Sequence, residues 1–156
     1  DNYLAAMPIM KKYGMRGSVF IMTCEIDHEP YLTKQEIKAL QENGFEIGSH
    51  TVNHVALGLS TPEEQRSESL ISKQVLEKEI KQPVEVMAYP YGSYSESAIA
   101  ALKASGYRGA CTGETGLNTD KTDPYRLKRI NIPRPRLGMT EFKLRLLRAE
   151  IYAKFE

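Results

Sequence analysis

The chain has 156 residues, with 21 basic and 20 acidic side chains and a formal net charge of +1. This length predicts one domain with a single core over residues 1–156. The balanced charge gives no electrostatic argument for nucleic acid or an anionic membrane as a partner. No run of about 18 apolar residues is present, so no membrane span is predicted.

The chain contains two cysteines, Cys24 and Cys111, which are too few for a disulfide scaffold. Each lies in or just after an apolar run, so buried free thiols are expected. If the protein is secreted, a disulfide between the two cysteines is the alternative. The chain begins with Asp1 and not with Met, and we therefore expect a fragment of a longer protein.

The first half of the chain predicts two helices, each followed by a strand. Residues 3–12 have an apolar stripe of helical spacing, and residues 17–22 form a short apolar run typical of a buried strand. A capping box at residues 33–36 begins the second helix, which ends at residues 43–44. Residues 45–48 are the second predicted strand.

The second half continues the alternation. Helices are predicted at residues 61–81 and 95–106, strands at 84–89 and 107–112, and a final helix at 140–153. Residues 127–132 are a further possible strand. The helical spacing predicts that these side chains face inward: Leu70, Ile71, Val75, Ile80, Ile99, Leu102, Phe142, Leu146, Leu147 and Ile151.

Such alternation predicts βα units and a parallel sheet, with a ligand site outside the carboxyl ends of the strands. Several chemically capable side chains follow predicted strands within a few residues, namely Asp27, His50, Tyr91 and Glu114. The sequence therefore predicts a polar site on one rim of the sheet.

His50 and His54 are the strongest metal-ligand candidates on this rim. On a helical turn, two imidazoles at i and i+4 face the same way, so one metal ion could reach both. Without further context, two solvated loop histidines are the more ordinary interpretation. His28, the other histidine in the chain, lies in a polar stretch and is expected to be solvated.

Three segments resemble the polysaccharide deacetylases that share the NodB homology domain, carbohydrate esterase family 4. Residues 44–54, GFEIGSHTVNH, resemble the segment that carries the family's H-[ST]-x-x-H metal motif. Residues 88–92, AYPYG, are similar to its R-x-P-[FY]-G groove motif. Residues 1–14, followed by 19–21, resemble the segment after the family's first motif. The resemblance covers residues 1–112 well and the remainder loosely.

The resemblance implies a distorted (β/α)7 barrel, incomplete at the N-terminus, and a hydrolase that removes N- or O-acetyl groups from extracellular glycans. His50 and His54 would hold a divalent metal, usually zinc. Thr51 would shape the site and contact ligand. The Tyr91 amide would bind the oxyanion that forms on the acetyl carbon, while Pro90 and the Tyr91 ring would line the substrate groove.

The sequence departs from the family pattern in three places. The T-F-D-D motif, which supplies the general base and a third metal ligand, is expected just upstream of Asp1. Ala88 stands where many members have Arg, so Arg129 is the candidate for orienting the base and contacting substrate. No histidine follows His54 to act as general acid.

These departures leave two alternatives beside an active deacetylase. One is a catalytically impaired module that binds a glycan, and the other is an unrelated α/β hydrolase of small amides. The family resemblance also implies an extracellular or cell-envelope location. An exposed sheet edge would make a homodimer plausible.

Overall fold

A computed structural model of the protein describes residues 2–132 and 138–153, without the side chains of Tyr152 and Ala153; Asp1 lies outside this part. The strands are β1 (Ser18–Ile21), β2 (Glu46–Ser49), β3 (Val86–Ala88) and β4 (Gly109–Cys111). The α-helices are α1 (Met7–Lys12), α2 (Lys34–Glu42), α3 (Pro62–Ile80), α4 (Glu96–Ala104) and α5 (Met139–Ala153). A π-helical segment, Asn2–Ala6, precedes α1.

The strands form a parallel sheet in the order β1-β2-β3-β4, as the alternation predicted. Ser49 at the end of β2 pairs with Ile21 on one side and with Met87 on the other. All carboxyl ends therefore lie on one rim. Among the described residues the sheet is open, with four strands, which agrees with an incomplete barrel of the expected α/β class.

The possible strand at residues 127–132 is reduced to one parallel bridge between Leu127 and Cys111. The next two amides are engaged elsewhere. The Lys128 amide donates to Asn118 Oδ1 at 2.9 Å, and the Arg129 amide donates to the Glu114 carbonyl at 2.8 Å. These bonds attach the segment to the preceding loop and not to a strand ladder.

Helix α2 forms as the capping box predicted. Thr33 Oγ1 accepts from the Glu36 amide at 3.2 Å, and Glu36 Oε2 accepts from the Thr33 amide at 2.8 Å. Ile37 and Leu40, one turn apart, are fully buried against the sheet. Capping and apolar spacing therefore agree in this helix.

The inward face of α3 differs from the predicted one. Leu70 and Ile71 are exposed and Val75 is half-buried, whereas Ile80 is buried as expected. The buried side chains are instead Gln65, Glu68, Ser69, Ser72, Leu76 and Ile80. The first half of the helix packs on loop backbone, where polar side chains find hydrogen-bond partners and apolar ones would not.

The two terminal helices bury less than the sequence predicted. In α5, Phe142, Leu146, Leu147 and Ile151 are exposed, and Ala149 is fully buried in their place. Leu4 and Ile9 near the N-terminus are also exposed. Neither helix packs extensively on a strand in the described part of the chain, although Met7 and Met10 of α1 pack against the edge of the core.

Both cysteines are free. Cys111 is half-buried, but Cys24 is exposed, which corrects the expectation of a buried thiol. Cys24 lies in a short 3-10 turn, Thr23–Glu25, beyond the end of β1. Within the described residues, no helix combines the length and hydropathy needed to span a bilayer.

Candidate functional site

His50 and His54 lie at the carboxyl end of β2, but not on a helix. The His50 amide donates to the Ile21 carbonyl at 2.8 Å, which continues the β1–β2 ladder, and the chain then enters a loop. Thr51 and His54 both have left-handed backbones, with φ of 67° and 58°. A loop with two left-handed residues therefore brings the rings together, and the helical argument for their proximity was wrong.

The two imidazoles meet at their Nε2 atoms, which are 3.1 Å apart. The Nδ1 atom of His50 lies 2.6 Å from the Ala88 carbonyl oxygen, which can only accept a hydrogen bond. Nδ1 must therefore carry the proton in the neutral ring, and the Nε2 lone pair faces His54. The backbone of β3 thus sets the tautomer that exposes Nε2.

The environment of His50 favours the neutral ring. Burial lowers the pKa of His50, and the nearby His54 and Arg129 add to the effect, while the Ala88 carbonyl opposes it. A neutral imidazole is the form that ligates a metal ion. Two nitrogens bound to one tetrahedral zinc ion lie about 3.3 Å apart, from Zn–N distances of about 2.0–2.1 Å.

The two imidazole nitrogens of His50 and His54 are of a type that suits a metal ion, since imidazole nitrogen is a common zinc ligand. In residues 2–132 and 138–153, no cluster of three or more histidine, cysteine, aspartate or glutamate side chains could hold an ion. The described residues therefore offer a pair of donors, which is half of a four-coordinate set.

Thr51 stabilises the loop from inside. Its side chain is fully buried, and its Oγ1 accepts from the His54 amide at 3.0 Å. The Thr51 amide donates in turn to Ser49 Oγ at 3.2 Å. Thr51 therefore lies where it can shape the histidine pair, and its contact with substrate stays a prediction.

Tyr91 faces the histidines from the turn after β3. Its ring lies edge-on to that of His54, with 4.7 Å between ring centroids, and it is 77% exposed. Its φ of 57° places it in the left-handed region, and Pro90 beside it is buried. Among the described residues, none accepts a hydrogen bond from the Tyr91 amide.

Arg129 shares a cavity of about 390 Å³ with His50, Tyr91 and Gly113. Its Nε donates to the Thr112 carbonyl at 3.0 Å, which fixes the guanidinium beside the end of β4. A second cavity, of about 410 Å³, lies against both histidines, and its lining includes Phe20, Ile26 and Leu32. His50 therefore borders two cavities, one of which is also lined by Arg129.

The other rim candidates are not part of this cluster. Asp27 Oδ1 accepts from the Lys34 amide at 3.0 Å and so helps to begin α2. Glu114 accepts a hydrogen bond from the Tyr94 hydroxyl at 2.6 Å. His28 is exposed beside Glu25, as expected for a solvated histidine.

Two groups that hold the site were not predicted from the sequence: the Ala88 carbonyl and the Glu68 carboxylate. A backbone carbonyl leaves no mark in the sequence. Glu68, however, lies eight residues before Leu76 and twelve before Ile80. Residues spaced by four lie along one face of a helix. That spacing could have indicated a buried carboxylate.

The fold and these side chains define a parallel α/β protein with a histidine-lined cleft at the strand ends. The model of the polysaccharide deacetylase family matches residues 1–110, and the chain belongs to this family. The family prediction is thereby confirmed, and the interpretation of the motifs as coincidental in an unrelated hydrolase is wrong.

Individual relatives agree with this assignment. YxkH of Bacillus subtilis, whose own naming as a polysaccharide deacetylase is provisional, is 34% identical over 85% of this chain and 47% of its own length. The peptidoglycan-N-acetylglucosamine deacetylase of Bacillus cereus is 28% identical over 65% of this chain and 46% of its own. This chain thus spans about half the length of the curated relatives that it matches.

A solved structure is similar over almost the whole chain. The Streptococcus pyogenes deacetylase PplD, in complex with acetate, superposes with a TM-score of 0.86 at 28% identity. The match covers 96% of this chain and 65% of PplD.

Proposed function

We propose that this protein is a metal-dependent hydrolase that removes acetyl groups from a glycan. The observation that carries the proposal is the pair of Nε2 atoms, 3.1 Å apart at the end of β2, in a chain of the polysaccharide deacetylase family. His50 and His54 would hold a divalent metal, most readily zinc. When bound, such an ion supplies Lewis acidity toward a carbonyl oxygen and lowers the pKa of water.

The surrounding residues would orient and stabilise the reacting groups. The Ala88 carbonyl keeps the His50 proton on Nδ1, so that Nε2 remains a donor to the ion. The Tyr91 amide would donate to the oxyanion that develops on the acetyl carbon, where a fixed donor is most effective. Pro90 and the Tyr91 ring would form a wall of the substrate groove.

Arg129 would supply positive charge to the same cavity. Its guanidinium is anchored at Thr112 and borders the space in front of His50 and Tyr91. A fixed guanidinium there can bind an acetyl oxygen or orient a carboxylate that acts as base. Because Ala88 carries no charge, Arg129 is the residue that we assign to this role.

The relatives favour an N-acetylated sugar polymer as the substrate. One is a peptidoglycan-N-acetylglucosamine deacetylase, and another, from Staphylococcus aureus, is a poly-β-1,6-N-acetyl-D-glucosamine N-deacetylase, 26% identical to this chain. We propose that this protein likewise cleaves an amide bond other than a peptide bond. A substrate of this class implies an extracellular or cell-envelope location.

The test compares His50→Ala and His54→Ala with the unsubstituted protein and with His28→Ala, whose ring lies outside the cluster. We expect both substitutions to remove bound zinc, measured by atomic emission after dialysis, and to stop acetate release from N-acetylated chito-oligosaccharides. His28→Ala should retain both properties. Unchanged zinc content and acetate release in the first two variants would contradict the proposal.

A catalytically impaired glycan-binding module is the second candidate. It is favoured by Ala88 in place of the usual Arg and by a described donor set of two histidines. Isothermal titration with the same oligosaccharides separates the candidates. Binding without acetate release in the zinc-loaded protein would identify a binder, whereas turnover would identify an enzyme.

A further inference from the structure

We infer that Glu68 is a positioning residue for the histidine loop, residues 50–54, although it lies on α3 and contacts neither histidine ring. The inference rests on the proposed metal site and adds a residue to it. Glu68 is only 6% exposed, which is unusual for a glutamate unless its carboxylate is well paired.

The Glu68 carboxylate is paired entirely with the loop between the two histidines. Its Oε2 accepts from the Val52 amide at 2.8 Å and from the Asn53 amide at 2.9 Å. Its Oε1 accepts from Asn53 Nδ2 at 2.6 Å. One carboxylate therefore satisfies three donors within the four-residue step from His50 to His54.

The loop needs this partner because of its backbone conformation. The left-handed residues Thr51 and His54 turn the intervening amides toward α3, away from any strand ladder. The Val52 carbonyl, by contrast, is engaged by the Cys24 amide at 3.1 Å on the opposite side. Without an acceptor on α3, two partly buried amides would be unpaired, and the loop would have to rotate toward water.

Helix α3 is itself held in place by hydrogen bonds around the position of Glu68. Ser72 Oγ donates to the Glu68 carbonyl at 2.6 Å and also receives a hydrogen bond of 2.8 Å from Ser49, the last residue of β2. The Tyr107 hydroxyl donates to the Ser69 carbonyl at 3.0 Å. The carboxylate thus projects from a rigid support onto the loop.

Gln65, one turn earlier, offers a matched control. Its Nε2 donates to the Leu57 carbonyl at 2.8 Å and to the Ser60 carbonyl at 3.1 Å, in and just after the 3-10 turn that follows the histidine loop. It is even more deeply buried than Glu68, at 1% exposure, but it makes no hydrogen bond to a residue between the two histidines. Loss of either side chain would affect packing, and only loss of Glu68 would release the histidines.

The experiment measures zinc dissociation constants by competition with a chromogenic chelator for the unsubstituted protein and three variants. Glu68→Met keeps the length of the side chain but removes its acceptors, so we expect affinity to fall about 10- to 100-fold, as for other groups that orient metal ligands. Glu68→Gln should retain affinity, because the new side-chain oxygen can accept from the Val52 and Asn53 backbone amides. The side-chain amide of Asn53 would then rotate so that its Oδ1 accepts from the new Nε2. Gln65→Met should bind zinc as the unsubstituted protein does.

Hydrogen exchange in the zinc-free proteins provides a readout that does not depend on the ion. The Val52 and Asn53 amides should exchange faster in Glu68→Met than in the other proteins. Folded Glu68→Met with unchanged affinity and exchange would overturn the inference and leave the proposed function standing. If the unsubstituted protein binds no zinc, the proposed function itself fails, and this inference fails with it.

Discussion

At position 88, strand β3 contributes its carbonyl oxygen and not its side chain to the histidine cleft. The Ala88 methyl group is buried, and the carbonyl lies 2.6 Å from His50 Nδ1. The orientation of His50 is therefore independent of which side chain occupies this position. The Ala88 side chain adds no charge near the site, and the backbone carbonyl sets the tautomer of His50.

Gly92 is the residue at which the backbone of the Tyr91 turn is most restricted. Its φ is +68°, and a Cβ atom there would lie 2.4 Å from the Gly113 amide nitrogen. Such a contact involves backbone on both sides, so no side-chain rotation can relieve it. Glycine at this position lets the turn after β3 pack against the segment after β4.

We predict that Gly92→Ala lowers the free energy of unfolding by roughly 3 kcal/mol or more, because left-handed strain and overpacking add. Gly14→Ala is the matched control, since Gly14 has a φ of +64° and a methyl group added there would meet no atom within 4 Å. The control should lose only about 1–2 kcal/mol. Equal losses for the two variants in urea unfolding would contradict the assigned contact.

At the scale of the element, α3 connects the site to the rest of the fold. Its first half buries Glu68 against the histidine loop, and its second half buries Leu76 and Ile80 in the apolar core. Near its C-terminal end, Glu77 Oε1 accepts from the Val84 amide at 2.9 Å and lies 3.0 Å from Lys73 Nζ. The helix end is thereby attached to the segment that leads into β3.

This attachment should depend on pH. Partial burial acts to raise the pKa of Glu77, but the Val84 amide and the Lys73 ammonium outweigh it, so the pKa lies below the ordinary 4.5. A lowered pKa in the folded state means that the carboxylate stabilises the protein above pH 4.5, and that this contribution is lost as pH falls through the lowered value.

We therefore predict that Glu77→Gln is less stable than the unsubstituted protein at neutral pH, and that the difference shrinks in acid. Chemical denaturation at a series of pH values below neutrality measures it. If the unfolding free energies of the two proteins differ by the same amount at every pH in the acid range, protonation of Glu77 is not coupled to folding in this way.

At the scale of the whole molecule, the described part of the chain exposes large apolar side chains on its terminal helices. Leu4 and Ile9 lie near the N-terminus, and Leu144 and Leu147 on α5 are both more than half exposed. Exposed apolar side chains that lie together, as Leu144 and Leu147 do one turn apart on α5, mark surfaces that associate with other protein. The expected homodimer stays a prediction, and these helices are a surface through which it could form.

We predict that the protein self-associates with rising concentration, and that Leu144→Lys together with Leu147→Lys shifts it toward the monomer. Leu59→Lys is the control, because Leu59 is 87% exposed but lies in a 3-10 turn, Leu57–Leu59, and not on α5. Sedimentation velocity over a range of concentrations measures the change. A monomer at all concentrations in the unsubstituted protein would contradict the prediction.

Local sequence determined the elements of this protein and their order. Capping boxes, glycine stops and short apolar runs act within a few residues, so α2, α4 and the four strands form where these patterns predict them. The same patterns placed His50 and Tyr91 on one rim, since parallel strands end together. The family motifs identified the candidate site residues because each motif is a short, contiguous stretch of sequence.

Only the tertiary structure decided how those residues meet. The rings of His50 and His54 converge because Thr51 and His54 adopt left-handed backbones, and a carboxylate on a later helix satisfies the amides between them. The inward face of α3 is polar in its first half, and the apolar side chains of α5 are exposed, because burial depends on what an element packs against. Helical spacing specifies a face but not its partner, and partners come from residues distant in sequence.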